Sequence, residues 1–157
     1  MNRQVRSTIA ANELATLLIP MHGKQLVLPN VTVAEVIPYV QPEPQDNVPT
    51  WYLGTFPWRN IVVPVVSFEA LNEEPFVSQS RKRRIAVLNG VVDSQRLPFC
   101  AIVTEGMPRL MRVLADEVSA DEDLASGPCE LGRVLVSGER AAIPNVDYIQ
   151  QQVLSVI

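Results

Sequence analysis

The chain has 157 residues, which fits one domain of ordinary size. Hydrophobic residues make up 47% and charged residues 19%, enough apolar material for a core, and this excludes a disordered chain. A net charge of -4 and a pI near 5.0 argue against nucleic acid as a partner, because a phosphate backbone demands a basic footprint.

Residues 1–13 are polar and read as a loose segment. The apolar stretch from Leu14 to Met21 contains Pro20. It is too short to span a bilayer and lies far in for a secretion signal, so a soluble cytoplasmic protein without direct membrane insertion is expected. "TLLIPM" and "KQLVLP" flank His22-Gly23, a hairpin turn, because Gly accepts positive φ. "VAEVIPYV" reads as the next strand after a short turn at Pro29-Asn30, and residues 41–50, with three prolines, as a loop.

From Tyr52 to Phe68 the chain reads "YLGTFPWRNIVVPVVSF", two strands about a tight turn. "EALN" fits one helical turn, and residues 73–82 a polar linker. "RRIAVLNGVV" and "PFCAIVTEG" are two further strands, with a turn at Asp93 to Arg96. "PRLMRVLADEV" fits a bent strand or a short helix, and periodicity does not decide between them. Residues 119–130 read as an acidic loop, and "ELGRVLVSGERAAIP" as a hairpin turning at Ser137-Gly138. Val146, Ile149 and Val153 in the tail have helical spacing, with Asn145 placed as an N-cap. Thirteen prolines and few long helical patterns make the whole an all-β chain with a C-terminal helix.

The two hairpins echo each other. Leu53-Gly54, a turn at Arg59-Asn60, Pro64 and Val66-Ser67-Phe68 in the first match Leu131-Gly132, a turn at Ser137-Gly138, Pro144 and Val146-Asp147-Tyr148 in the second. One such hairpin in each half predicts two small β-barrels packed side by side.

Chemistry has little to work with. His22 is the only histidine and sits in a turn. Cys100 and Cys129 show no paired spacing and read as buried free thiols. One His and two distant cysteines do not make a zinc set. Asp116, Glu117, Asp121, Glu122 and Asp123 lack the alternating pattern and glycine of a calcium loop. No phosphate-binding glycine motif is present, so neither an enzyme nor a bound metal or cofactor is expected. Arg81-Lys82-Arg83-Arg84 is the one basic run. Joined to Trp51 and Trp58 as stacking platforms, it supports an alternative reading, a nucleic-acid-binding β-barrel; its plainer reading is a solvated strand start that discourages edge pairing. Trp58, beside the turn, suits partner anchoring or, like Trp51, the plugging of a barrel end, and Glu35, interrupting an apolar strand, can pair with Arg59 at the tip.

"VAEVI" from Val33 to Ile37, followed by Gly54, Arg59, Pro64 and Val65 at matching spacing, resembles the CheW-like domain, the coupling module of bacterial chemosensory arrays. The resemblance covers nearly all of the chain and implies a single domain over 14–157, built as two SH3-like barrels sharing a core. It implies a non-catalytic adaptor whose partners are the regulatory domain of a chemosensory histidine kinase and the cytoplasmic tip of a chemoreceptor. It places Glu35 and Arg59 as a paired acid and arginine, and Val33 and Gly54, with Val36 in the same motif, among partner-binding positions. Three departures stand out: Pro57 where Asn is usual, Asn60 where Gly is usual, and Ser67 where Asp is usual. They imply a divergent accessory member, similar to those of the chemosensory-like systems that control type IV pili and twitching motility.

Overall fold

The computed structural model describes residues 13–74, 76 and 78–157. The expected loose N-terminal segment lies, apart from Glu13, outside the described residues, as do two positions of the 73–82 linker.

Eleven strands form two sheets among the described residues. In chain order they are β1 (Glu13–Met21), β2 (Lys24–Pro29), β3 (Val33–Pro38), β4 (Tyr52–Trp58), β5 (Ile61–Val66), β6 (Arg84–Asn89), β7 (Phe99–Thr104), β8 (Arg109–Leu114), β9 (Val118–Ala120), β10 (Glu130–Val136) and β11 (Glu139–Pro144). A one-turn helix, Phe68–Leu71, follows β5, and a longer one, Val146–Leu154, follows β11. The ambiguous "PRLMRVLADEV" is strand β8 followed by a 3-10 turn at Ala115–Glu117. The expected acidic loop at 119–130 is shorter than its composition implied: its start belongs to β9, and Glu130 begins β10.

The first sheet runs β8-β1-β2-β11-β10-β9 and the second β3-β6-β7-β5-β4. The hairpin echo is real at this level. Hairpin β4–β5 docks by a parallel contact of β5 with β7, and hairpin β10–β11 by a parallel contact of β11 with β2. Each hairpin carries an irregularity at its glycine, Gly54 or Gly132. Each turn has two residues of positive φ, Arg59 (48°) and Asn60 (64°) or Ser137 (47°) and Gly138 (83°), as two-residue hairpin turns require. Each is followed by a capped helix: Ser67 Oγ accepts from Ala70 N–H, and Asn145 Oδ1 from Tyr148 N–H.

Alternation along the strands divides the apolar side chains into three groups. Phe56, Trp58, Val63, Val65, Ile85, Val87, Ala101 and Val103 fill the interior of the second sheet. Leu18, Val27, Val113, Val134, Val136 and Ala141 fill the first. The opposite faces meet in a shared core that includes Ile19, Leu26, Tyr52, Phe68, Leu88, Cys100, Cys129 and Ile149. The bulge between Tyr52 and Gly54 turns Tyr52 into the shared core, while Phe56 and Trp58 on the same strand face the barrel interior. The architecture is thus two barrel-like sheets sharing a core. Burial pushes both thiols up to about 12, which leaves Cys100 and Cys129 protonated and unreactive.

Polar contacts tie the halves together. Glu130, whose side chain is fully buried, accepts from Lys24 Nζ (2.7 Å), Arg133 Nε (2.6 Å), Asn72 Nδ2 (3.0 Å) and Gly127 N–H (3.0 Å). Asn72 lies on the strap leaving the second sheet, and its Oδ1 accepts from Cys129 N–H at 2.8 Å. A Cβ on Gly127 would sit 2.4 Å from that same Oδ1, so any larger residue would push the Asn72 amide out of place. Lys24 also reaches Glu74. Burial alone would raise the Glu130 carboxyl; the bonds from Arg133, Lys24 and Gly127 outweigh it and bring the group down to about 2. Across the other junction, buried Gln150 of the C-terminal helix accepts from Val91 N–H (2.8 Å) and donates to Asn89 O (2.9 Å) in the loop after β6.

The first sheet draws β1 and β2 from one end of the chain and β8–β11 from the other, so it cannot form before both ends meet around the second. We therefore expect one calorimetric unfolding transition. A group depressed from 4.5 to about 2 contributes stability above pH 4.5 that is lost as pH falls toward 2. The transition should accordingly move down over that window in the wild type, and less in Glu130→Gln. Two resolved transitions would contradict the shared-core account.

Candidate functional site

The hairpin β4–β5 ends at the Arg59-Asn60 turn, with Trp58 opposite Ile61. Asn60 tolerates the left-handed conformation well, and Arg59 adopts it at a cost of about 1–2 kcal/mol. β3 and β4 are the two edges of the second sheet, and Glu35 of β3 bridges that seam. Its Oε1 accepts from Trp58 Nε1 at 2.7 Å and lies 3.5 Å from Arg59 Nη2. The Arg59 guanidinium sits over the Trp58 ring, 4.5 Å from its centroid. The three side chains form one stack: an acid anchoring an indole, and an arginine resting on both.

The expectation for Trp58 needs correction. It is 7% exposed, its ring meets Phe99 edge-on at 4.7 Å, and its N–H is already occupied. Trp58 is therefore a plug of the barrel that positions Arg59, and not a surface anchor. A tryptophan beside a turn can anchor a partner or plug the barrel end, and here it faces inward and plugs. Trp51 packs half-buried on the shared core. Of the two stacking platforms in the nucleic-acid reading, Trp58 is thus withdrawn from the surface and Trp51 is half-covered. Its basic run is also partly committed: the Arg83 guanidinium lies 3.8 Å from the Tyr39 ring centroid and donates to Ser78 O, while Arg84 donates to the carbonyls of Lys82 and Arg83.

The remaining expected site residues do not join the stack. Gly54 (φ 134°) is a close-approach position, where a Cβ would meet Glu43 O at 2.1 Å as the 41–50 loop crosses β4. Val33 and Val36 are half-buried and pack against the shared core. Pro57 is exposed on edge strand β4, where a missing N–H is tolerated and blocks further strand pairing. Ser67 has the capping role already described. His22 stacks on Phe76 at 3.7 Å. Asp121 and Asp123 lie 3.5 and 3.4 Å from Arg140, and Glu117 accepts from Leu114 N–H and Ser137 Oγ. Among the described residues no group of three or more His, Cys, Asp or Glu is placed to hold a metal.

Glu35→Ala leaves the Trp58 N–H buried without a partner, which should cost about 1–3 kcal/mol in denaturant melts. Glu35→Gln keeps an acceptor and should cost less. Arg59→Ala should stay within about 1 kcal/mol, because its 3.5 Å contact is made by a side chain that is 64% exposed. Equal losses for Glu35→Ala and Arg59→Ala would show that the ion pair, and not the indole bond, holds the seam.

The sequence pattern of the CheW-like domain matches residues 15–153. No curated protein matches the chain. Among solved structures, the fold is similar to the crystal structure of scaffolding protein TtCheW from Thermoanaerobacter tengcongensis, with a TM-score of 0.73 and 11% identity over 87% of this chain and 86% of that one. At that identity the likeness speaks for the fold, and the family rests on the pattern running through both sheets and into the C-terminal helix. The chain belongs to the CheW-like domain family.

Proposed function

We propose that this protein is a non-catalytic adaptor of a bacterial chemosensory system, working in the cytoplasm and linking the regulatory domain of a histidine kinase to the cytoplasmic tip of a chemoreceptor. The observation that carries the reading is the family pattern over residues 15–153, which takes in the hairpin tip. A two-residue turn sets its backbone, and the Glu35–Trp58 bond sets its base, so Arg59 projects from a defined platform against the Trp58 ring. An exposed arginine on a preorganised platform suits recognition of an acidic or carbonyl-rich partner surface.

The finer assignment is to an accessory member serving pilus-driven motility. Pro57 supports the accessory part of that assignment, since an exposed proline two residues before Arg59 alters the surface a partner meets and closes that edge to strand addition. No helix among the described residues is long and apolar enough to cross a membrane, in keeping with an adaptor that reaches receptors by contact.

Titration calorimetry against the kinase regulatory domain and the receptor tip tests the reading. Wild-type protein should bind one or both. Arg59→Ala should weaken binding by about 2 kcal/mol, near thirtyfold, without lowering the melting temperature to match. Failure of the wild type to bind either partner, or unaltered affinity in Arg59→Ala, would contradict the proposal or its use of the tip, respectively.

A further inference from the structure

A cleft of about 490 Å³ opens between the 39–42 segment, the one-turn helix and the segment leading to β6. Its size is that of a small-molecule site. Tyr39, Leu53, Phe76 and Val103 give it apolar walls, and Glu69 and Ser78 give it polar ones. Glu69 Oε1 and Ser78 Oγ are both buried without a hydrogen-bond partner among the described residues. Glu69 is only 5% exposed. A buried carboxylate oxygen without a donor is costly, and both orphaned atoms belong to residues that line the one cleft.

The protein's own cations do not supply it. Arg83 lines the cleft but is held over the Tyr39 ring and on Ser78 O. Lys24 acts on Glu69 only through space, being bonded to Glu130 and Glu74. We propose that the cleft binds a small organic amine, whose ammonium donates to Glu69 Oε1 and Ser78 Oγ while its apolar body lies against Leu53, Phe76 and Val103.

The charges around Glu69 set how such binding responds to pH. Burial raises its carboxyl most, Glu105 and Glu74 add to the rise, and its own backbone N–H and Lys24 oppose it, leaving the group at about 7. Arg83 and Tyr39 are the other charged or titratable groups lining the cleft. The ammonium requires the ionised carboxylate, so amine binding strengthens as pH rises through about 7 and weakens below it.

Isothermal titration with 2-phenylethylamine, which stays protonated throughout, tests the site at about pH 8 and about pH 6. Wild-type protein should bind saturably, about tenfold more tightly at the higher pH. Glu69→Gln keeps shape while removing the charge, and should lose at least about tenfold; Ser78→Ala should lose severalfold. Amide shifts on binding should centre on Leu53, Ala70 and Ser78. The neutral 2-phenylethanol and the anionic 3-phenylpropanoate should not bind. Equal affinity in Glu69→Gln, binding of the alcohol as tight as that of the amine, or no heat at millimolar amine would each overturn the proposal.

Discussion

The carboxylate of Glu130 has no access to solvent, yet it remains ionised, because Lys24, Arg133, Asn72 and the Gly127 N–H all converge on it. These donors come from separate parts of the chain: Lys24 from the start of β2, Arg133 from β10, and Asn72 from the strap leaving the second sheet. The charge is stable only where all of them stand, so it fixes the register of the strap against the first sheet. Around it the shared core can pack: Phe68 and Leu71 on the strap, Cys129 beside the carboxylate, and Leu26 and Leu28 on β2 all belong to that core. Gln150 does the equivalent at the other junction, with neutral bonds to the loop after β6.

The same plan was used twice with different consequences. Both hairpins dock by a parallel contact, and both lead into a capped helix. In the second sheet the edge strands β3 and β4 are joined by the side chains of Glu35 and Trp58, which leaves Arg59 outward on a fixed base. The first sheet has no such acid–indole seam; β9 extends it beyond β10, and its tip residues Ser137 and Gly138 are small. Of the two turns, only the first places a long charged side chain at its tip, and it belongs to the hairpin built from the contiguous middle of the chain.

Much of this was legible in the sequence. Strand positions followed from short apolar runs punctuated by prolines and turn residues, and the paired Gly–turn–Pro hairpins disclosed the duplicated plan. Glu35 and Arg59 were legible as a pair because a charge inside "VAEVI" has no place in an apolar strand. What was not legible depends on long-range geometry. Trp58 next to a turn looks exposed, and only sheet closure shows that it faces inward. Glu130 follows an acidic loop and looks like part of it; its role appears only when Lys24, 106 residues away, is brought alongside. Glu69 sits in a short apolar-looking turn, and nothing in its neighbours announces burial. Gln150 had a faint signal, lying next to Ile149 on the buried side of the tail helix.

The central claim is that the two sheets form one cooperative body joined through Glu130, and native-state hydrogen exchange on wild-type protein and Glu130→Gln tests it most directly. The account predicts that core amides such as Val27 in the first sheet and Val87 in the second share one opening free energy, and that both fall together, by about 3 kcal/mol, in the variant. Loss of protection confined to the first sheet, with Val87 unchanged, would contradict it.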